Sequence, residues 1–374
     1  MEDIFIQLAI ILFTAFIVSY IARAFKQPII IGYIVAGMII SPFILEAGAS
    51  KEIITIFSEF GIAFLLFIVG LHLNPKIIKE VGTTSLFIGT GQIILTFILT
   101  FIISKLIGFN TITSVYVSIA LTFSSTIIIM KLLSDKRQLD SLYGKISIGI
   151  LIIQDLVAIG VLMFMSSFSS DSSLTSFALR GLLGGGSAII ILFLIGFFVL
   201  PRFIKNIAKS QELLFLFSIC WCFVVAAGFI WLGFSLEIGA LIAGIVLSIS
   251  PYSTEISSRI RPLRDFFVII FFIILGLNIQ LNNIHSIALN AIILSIIALV
   301  FKPIILMMIG TLFGYTKRTN FLVGSTLAQI SEFSLIVLGL GVAIGHISQE
   351  ILSTMILTSI ITITLSTYFI IYSE

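Results

Sequence analysis

Charge is what this sequence has least of. Of its 374 residues 10% are charged, against about 25% in a soluble domain. That excludes an ordinary soluble enzyme. Cysteine is nearly absent: Cys220 and Cys222 sit two apart in one apolar run, match no metal spacing and read as helix filler. Histidine occurs 3 times; His72 and His346 are lone residues at loop edges and read as solvated. No basic run or nucleic-acid motif is present, and a net charge of +3 points to no nucleic-acid partner. No metal cluster, nucleophile elbow or phosphate loop appears, so neither an enzyme nor a cofactor is expected. The N-terminus is acidic (Glu2, Asp3), so no cleavable signal peptide is expected.

What the chain has instead is apolar length. Hydrophobic residues make up 59% and the mean hydropathy is +1.26. A membrane-spanning helix needs roughly 20 apolar residues. Apolar runs bounded by charge, Gly or Pro predict thirteen spans, at 4–22, 28–45, 53–73, 83–107, 112–133, 146–167, 178–200, 212–232, 236–250, 266–284, 287–313, 321–345 and 350–372. No soluble domain remains between them. Of the 20 basic residues, Lys51, Lys105 and Arg180 fall on one side and Lys302 lies inside a span. The other sixteen fall in or beside loops of the opposite side, which predicts an external N-terminus and a cytoplasmic C-terminus.

The chain also repeats itself. GYIVAGMIIS (32–41) matches GALIAGIVLS (239–248) at Gly32/Gly239, Ala36/Ala243, Gly37/Gly244 and Ser41/Ser248. EFGIAFLLFIVGL (59–71) matches DFFVIIFFIILGL (265–277) at Phe60/Phe266, Gly70/Gly276 and Leu71/Leu277. Ser118/Ser325 and Ser124/Ser331 align at the same spacing. Six crossings return the chain to its starting side, and a seventh moves it across. The expectation is therefore an all-α membrane protein with two inverted six-helix repeats. Residues 1–170 form the first repeat, 171–209 a linking helix and 210–374 the second repeat. Inverted repeats of this kind are common in secondary transporters, which bind substrate near the midplane.

Five ionisable residues fall within or at the edge of spans. Glu59 and Glu237 lie near span ends and are as easily solvated as functional. Asp155, Lys302 and Glu332 lie deeper, where a charge costs roughly 2.5–3.5 kcal/mol on insertion scales. Asp155 in IIQDLVAI is nine residues into its span, about 13 Å at helical rise. A lone carboxylate there can be neutralised by a cation or by a proton, which is the minimal chemistry of an exchanger. The alternative is a permanent Asp155–Lys302 ion pair that only holds helices together. Lys302 is followed by Pro303, so its backbone should be kinked or should free a carbonyl.

The fifth and twelfth spans are unusually polar. ALTFSSTIII carries Ser124, Ser125 and Thr126; GSTLAQISEFSL carries Gln329, Ser331 and Glu332. They are equivalents under the repeat. Two discontinuous helices crossing beside Asp155, broken around Ser124–Thr126 and Gln329–Glu332, are expected. The alternative is hydroxyls bonding back to their own helices.

These residues resemble the monovalent cation:proton antiporter-2 family, especially its Kef-type potassium/proton antiporters, and more distantly the NapA-type sodium/proton antiporters. The motifs carrying the resemblance are QPIIIGYIVAGMIISP (27–42), FLLFIVGLHLNP (64–75), SSTIIIMKLL (124–133), IIQDLVAI (152–159), FKPII (301–305) and AQISEFSLIV (328–337). The resemblance implies that Gln154 and Asp155 form the ion-binding pair, that Lys302 is the core basic residue and that Glu332 is the acid of the second discontinuous helix. It also implies a homodimer in a prokaryotic inner membrane. An ion-carrying domain of spans 4–6 and 11–13 would sit beside a scaffold of spans 1–3 and 8–10. His72 stands where such chains often have an acid. Such chains often continue into a cytoplasmic regulatory domain, and this one ends at Glu374. Exchange of K⁺ or Na⁺ for H⁺ is the leading reading. A gated K⁺ channel and a non-transporting membrane sensor are the alternatives.

Overall fold

The computed structural model describes residues 2–44, 48–72, 82–166, 186–232, 234, 236–279 and 284–372. Residues 171–185 of the expected linking helix, with Arg180, lie outside the described residues. Every described element is a helix. Seven helical segments are long and apolar enough to cross a membrane: Ile6–Ala24, Thr83–Leu106, Leu142–Leu162, Ile190–Ile207, Gln211–Trp231, His285–Leu312 and Gln349–Tyr372. The chain is a multi-pass membrane protein.

Two compact units emerge. The first comprises residues 1–46, 80–161 and 275–374. It holds α1 (Glu2–Ala24), α2 (Ile29–Ile44), α4 (Gly82–Leu106), α5 (Thr111–Thr122), α6 (Thr126–Asp135) and most of α7 (Leu142–Ser166). It also holds α13 (Ile284–Ile296), α14 (Lys302–Leu312), α15 (Lys317–Thr326), α16 (Glu332–Ala343) and α17 (Gln349–Tyr372). The second comprises residues 47–79 and 162–274. It holds α3 (Gly48–His72), α8 (Gly186–Leu194), α9 (Leu200–Ile207), α10 (Gln211–Trp231), α11 (Leu236–Ser248) and nearly all of α12 (Ser253–Leu277). This grouping differs from the scaffold implied by the resemblance, because α1 and α2 belong with the first unit. The reason is packing. Ile31 of α2 shares a buried cluster with Ile128 and Ile363, and Ser41 Oγ donates to the Leu277 carbonyl at 3.0 Å.

Glycines set the closest helix approaches. In the first unit, a Cβ on Gly32 would lie 2.5 Å from Ser19 Cα, and one on Gly276 would strike the Ile34 carbonyl and Gly37. In the second unit, a Cβ on Gly239 would lie 2.5 Å from Ala226 Cα, and one on Gly244 would strike the Phe67 carbonyl and Gly70. Only hydrogen fits at such distances. The core of the second unit is aromatic: Phe60 and Phe64 pack on Phe223 and Phe267, with ring centroids 5.2–5.9 Å apart.

Helix α12 begins at Ser253, well before the span expected at 266, because the charged stretch RIRPLRD continues the helix in polar surroundings. The irregularity expected at Pro303 is a π-turn over Ile297–Phe301, directly before Lys302. A second π-turn, Ile195–Val199, precedes Pro201. Proline removes one N–H and its ring crowds the carbonyl four residues back; a widened turn accommodates both.

Candidate ion-binding site

The first unit contains two helix interruptions. Helix α5 ends at Thr122 and α6 starts at Thr126, leaving residues 123–125 outside helical geometry. Helix α15 ends at Thr326 and α16 starts at Glu332, leaving 327–331. Each break therefore lies slightly N-terminal to where the polar clusters suggested. Thr126 and Glu332 open the helices that follow.

A broken helix in an apolar setting must satisfy its freed backbone groups, and here side chains do so. Ser125 caps α6 by accepting from Ile128 N–H at 3.3 Å. Ser331 caps α16 by accepting from Phe333 N–H at 3.1 Å. On the carbonyl side, Ser334 Oγ donates to Ala120 O at 2.6 Å and Gln92 Nε2 to Thr122 O at 3.1 Å. Ser124 Oγ donates to Leu327 O at 2.8 Å, which ties one break to the other.

Lys302 is fully buried, and its ammonium donates to Phe123 O at 3.1 Å and Gln329 O at 3.3 Å. One carbonyl comes from each break. Among the described residues no ion pair joins Lys302 to Asp155. In place of the permanent ion pair of the alternative reading, Lys302 bridges two backbone carbonyls. Partial negative charge gathers where a helix ends and its last carbonyls lose their partners, so a cation is well placed there.

The carboxylates lie at the opposite poles. Asp155, from the middle of α7, is only partly buried and accepts from Thr126 Oγ1 at 2.9 Å, at the first residue of α6. Glu332 is the first residue of α16 and is near enough to Asp155 for their charges to interact. Both acids therefore sit at helix N-termini, where partial positive charge favours them.

Gln154, beside Asp155 in the sequence, is buried. Its Oε1 accepts from Ser124 N–H at 2.9 Å, and its Nε2 donates to Gln92 Oε1 at 2.6 Å. Gln92 is a member of this network that the sequence reading missed. A lone amide in the apolar run GTGQIILTF was the available signal. Gln329 is fully buried; its Oε1 accepts from Ser366 Oγ at 2.9 Å, while its Nε2 has no hydrogen-bond partner among the described residues. Asp155, Thr126, Gln154, Ser124 and Lys302 thus converge on the first break, whereas Gln329, Ser331 and Glu332 belong to the second. The second acidic pair from the sequence, Glu59 and Glu237, interacts within the second unit.

The sequence pattern of the family described as sodium/hydrogen exchanger, transmembrane, matches residues 11–371. The chain belongs to that family. Among its relatives, K(+) efflux antiporter 4 of Arabidopsis thaliana is 32% identical over 326 residues, covering 83% of this chain and 54% of the relative. The chain thus spans about half the length of that relative. The Na(+)/H(+)-K(+) antiporter GerN of Bacillus cereus is 25% identical, covering 96% of this chain and 93% of GerN. In fold, the chain is similar to the sodium proton antiporter MjNhaP1 of Methanocaldococcus jannaschii, with a TM-score of 0.69 and 16% identity over 98% of this chain and 95% of the other. The Kef-type resemblance of the motifs agrees with relatives named as potassium efflux antiporters.

Proposed function

We propose that this exchanger is a secondary antiporter that trades a monovalent cation, K⁺ in preference to Na⁺, for H⁺ by alternating access at Asp155. One observation carries the reading: Asp155 is a partly accessible carboxylate held by Thr126 at the opening of a broken helix. A carboxylate in that position accepts a proton or a partly dehydrated cation, and each excludes the other. Thr126, Ser124, Ser125 and the unwound backbone are the neutral ligand candidates. Gln154 positions the break by holding Ser124 N–H, and Gln329, Ser331 and Glu332 support the site from the second break. Lys302 holds the two breaks together and couples their movement. The relatives named as antiporters for potassium and sodium support the substrate class.

The finer architecture belongs to the same proposal. It comprises thirteen spans in inverted repeats over 1–170 and 210–374, joined through 171–209, with the N-terminus outside, the C-terminus in the cytoplasm and a homodimer in the inner membrane. The glycine contacts support the repeat. Gly32 against Ser19 and Gly239 against Ala226 are related by one offset of 207, and the pairs Gly37–Gly276 and Gly70–Gly244 exchange at offsets of 207 and 206. A cytoplasmic regulatory domain or subunit is a further expected partner.

The test is flux in proteoliposomes with the membrane potential clamped and K⁺ and Na⁺ supplied separately. Proton-coupled flux that is lost in Asp155→Asn supports the proposal. Cation flux independent of the proton gradient indicates a channel, and absence of any flux indicates a sensor.

A further inference from the structure

The ion site uses only one end of a longer polar row on α4. Gln92, Thr96, Thr100 and Ser104 recur at every fourth residue and are all fully buried. Residues four apart lie on one helix face. The row therefore runs twelve residues, about 18 Å, along a helix that is otherwise strongly apolar. Its inner end is the Gln92–Gln154–Ser124 network. Its outer end, Ser104, adjoins exposed Lys105 and Leu106 and the turn at 107–110.

Along this row the hydrogen bonding stops part-way. Gln92 Nε2 donates to Thr96 Oγ1 at 3.1 Å. Beyond it, Thr100 Oγ1 and Ser104 Oγ are buried and have no hydrogen-bond partner among the described residues. A buried helical hydroxyl ordinarily returns its proton to the carbonyl one turn back, as Ser218 and Ser295 do at 2.6 and 2.7 Å. Two successive exceptions on one face call for a partner of another kind, and buried orphan hydroxyls are where internal water binds.

Helix α5 supplies the opposing wall. It packs against α4 and runs back antiparallel after the short turn. The bond from Gln92 to the Thr122 carbonyl fixes their relative level. At equal rise, Ser118 then stands level with Thr96, and Ser114 with Thr100. Both α5 serines are fully buried and donate to backbone carbonyls, Ser118 to Ser114 O of its own helix at 2.5 Å and Ser114 to Phe109 O of the preceding turn at 3.4 Å. Their oxygens keep acceptor capacity toward a water. Among the described residues no acid lines the row, so it offers a metal cation no countercharge to hold it. Water and hydroxyls can still pass a proton along.

We propose that the seam between α4 and α5 holds a file of internal waters that carries protons between the 107–110 turn and the Gln92–Gln154 node beside Asp155. Each hop moves one proton from a water to the next water or hydroxyl, which releases its own, so the file is unchanged after its hydrogen bonds reorient. The amides of Gln92 and Gln154 orient the inner waters and are not themselves relays. The use of the proton rests on the antiport reading; the existence of the water file does not.

Two measurements test this separately. In full-length protein carrying Cys220→Ala and Cys222→Ala, Thr100→Cys and Ser104→Cys are exposed to Ag⁺, which travels through water but not hydrocarbon. The lipid-facing control is Ile102→Cys, since Ile102 is 51% exposed. In variants that elute as wild type does, the thiols at 100 and 104 should react about tenfold faster than the control; equal rates at all three overturn the file. In proteoliposomes, the near-isosteric Thr100→Val and the smaller Ser104→Ala should each slow proton-coupled flux about tenfold, the kinetic worth of roughly one hydrogen bond, with the half-saturating cation concentration unchanged. Hydroxyls that only pack would leave the rate as it was, and that result overturns the proton route. If the parent protein shows no flux at all, the antiport reading fails, and the silver reaction still decides whether the seam is wet.

Discussion

The break at 123–125 and the break at 327–331 both interrupt a helix within an apolar run, yet they hold charge differently. The first is three residues long and borrows its carboxylate from another helix, Asp155 of α7, through Thr126. The second is five residues long and carries its own acid, Glu332, at the first position of α16. The first is braced by the amides Gln154 and Gln92, the second by Ser366 of α17. Lys302 serves both, through one carbonyl from each, and Ser124 joins them directly through the Leu327 carbonyl. A carboxylate on a separate helix can approach or leave the break as helices shift. One fixed at a helix start moves only with that helix. On the proposed antiport reading, this difference is the reason to place the exchanged ion at the first break and to give the second a supporting role.

The largest effect should separate the two acids. Asp155→Asn should remove proton-coupled flux to background, while Glu332→Gln should only lower it severalfold, both read in proteoliposomes at matched protein. Equal loss from the two would erase the distinction between the breaks. Next in size is Lys302→Met, which keeps bulk and removes the shared donor. Leaving buried carbonyls unsatisfied costs about 1–3 kcal/mol, so the melting temperature in detergent should fall clearly. An unchanged melting temperature would mean that the bridge does not hold the breaks together. Loss of either cap should cost about 1 kcal/mol, so Ser125→Ala and Ser331→Ala should lower the melting temperature by similar, smaller amounts. Only Ser125→Ala should also alter cation affinity. The smallest effect is expected for Ser366→Ala, which leaves Gln329 Oε1 without its donor; the cost is about one hydrogen bond, with flux retained.

The sequence made the site legible where chemistry contrasts with its surroundings. Asp155 and Lys302 stand out because a charge inside an apolar run is costly. The serine and threonine clusters stand out because two spans carry them at one offset. What stayed hidden involves the backbone or a single neutral group. Lys302 could be placed at depth but not assigned to the carbonyls of Phe123 and Gln329, since backbone acceptors leave no mark in a sequence. Gln92 is one amide among apolar residues, and only the fold sets it against Gln154. The grouping of α2 with the first unit rests on Ile31, Ile128 and Ile363, and isoleucines are too common here to signal a particular contact. The early start of α12 was missed because hydropathy measures the bilayer, and a helix does not stop at its edge.

The central claim is that a cation and a proton compete for Asp155. The most direct measurement is proton release when K⁺ or Na⁺ is added to purified protein in weakly buffered solution with a pH indicator. The account predicts saturable release from the parent protein, none from Asp155→Asn, and release retained in Glu332→Gln. Saturable release that persists unchanged in well-folded Asp155→Asn would contradict it.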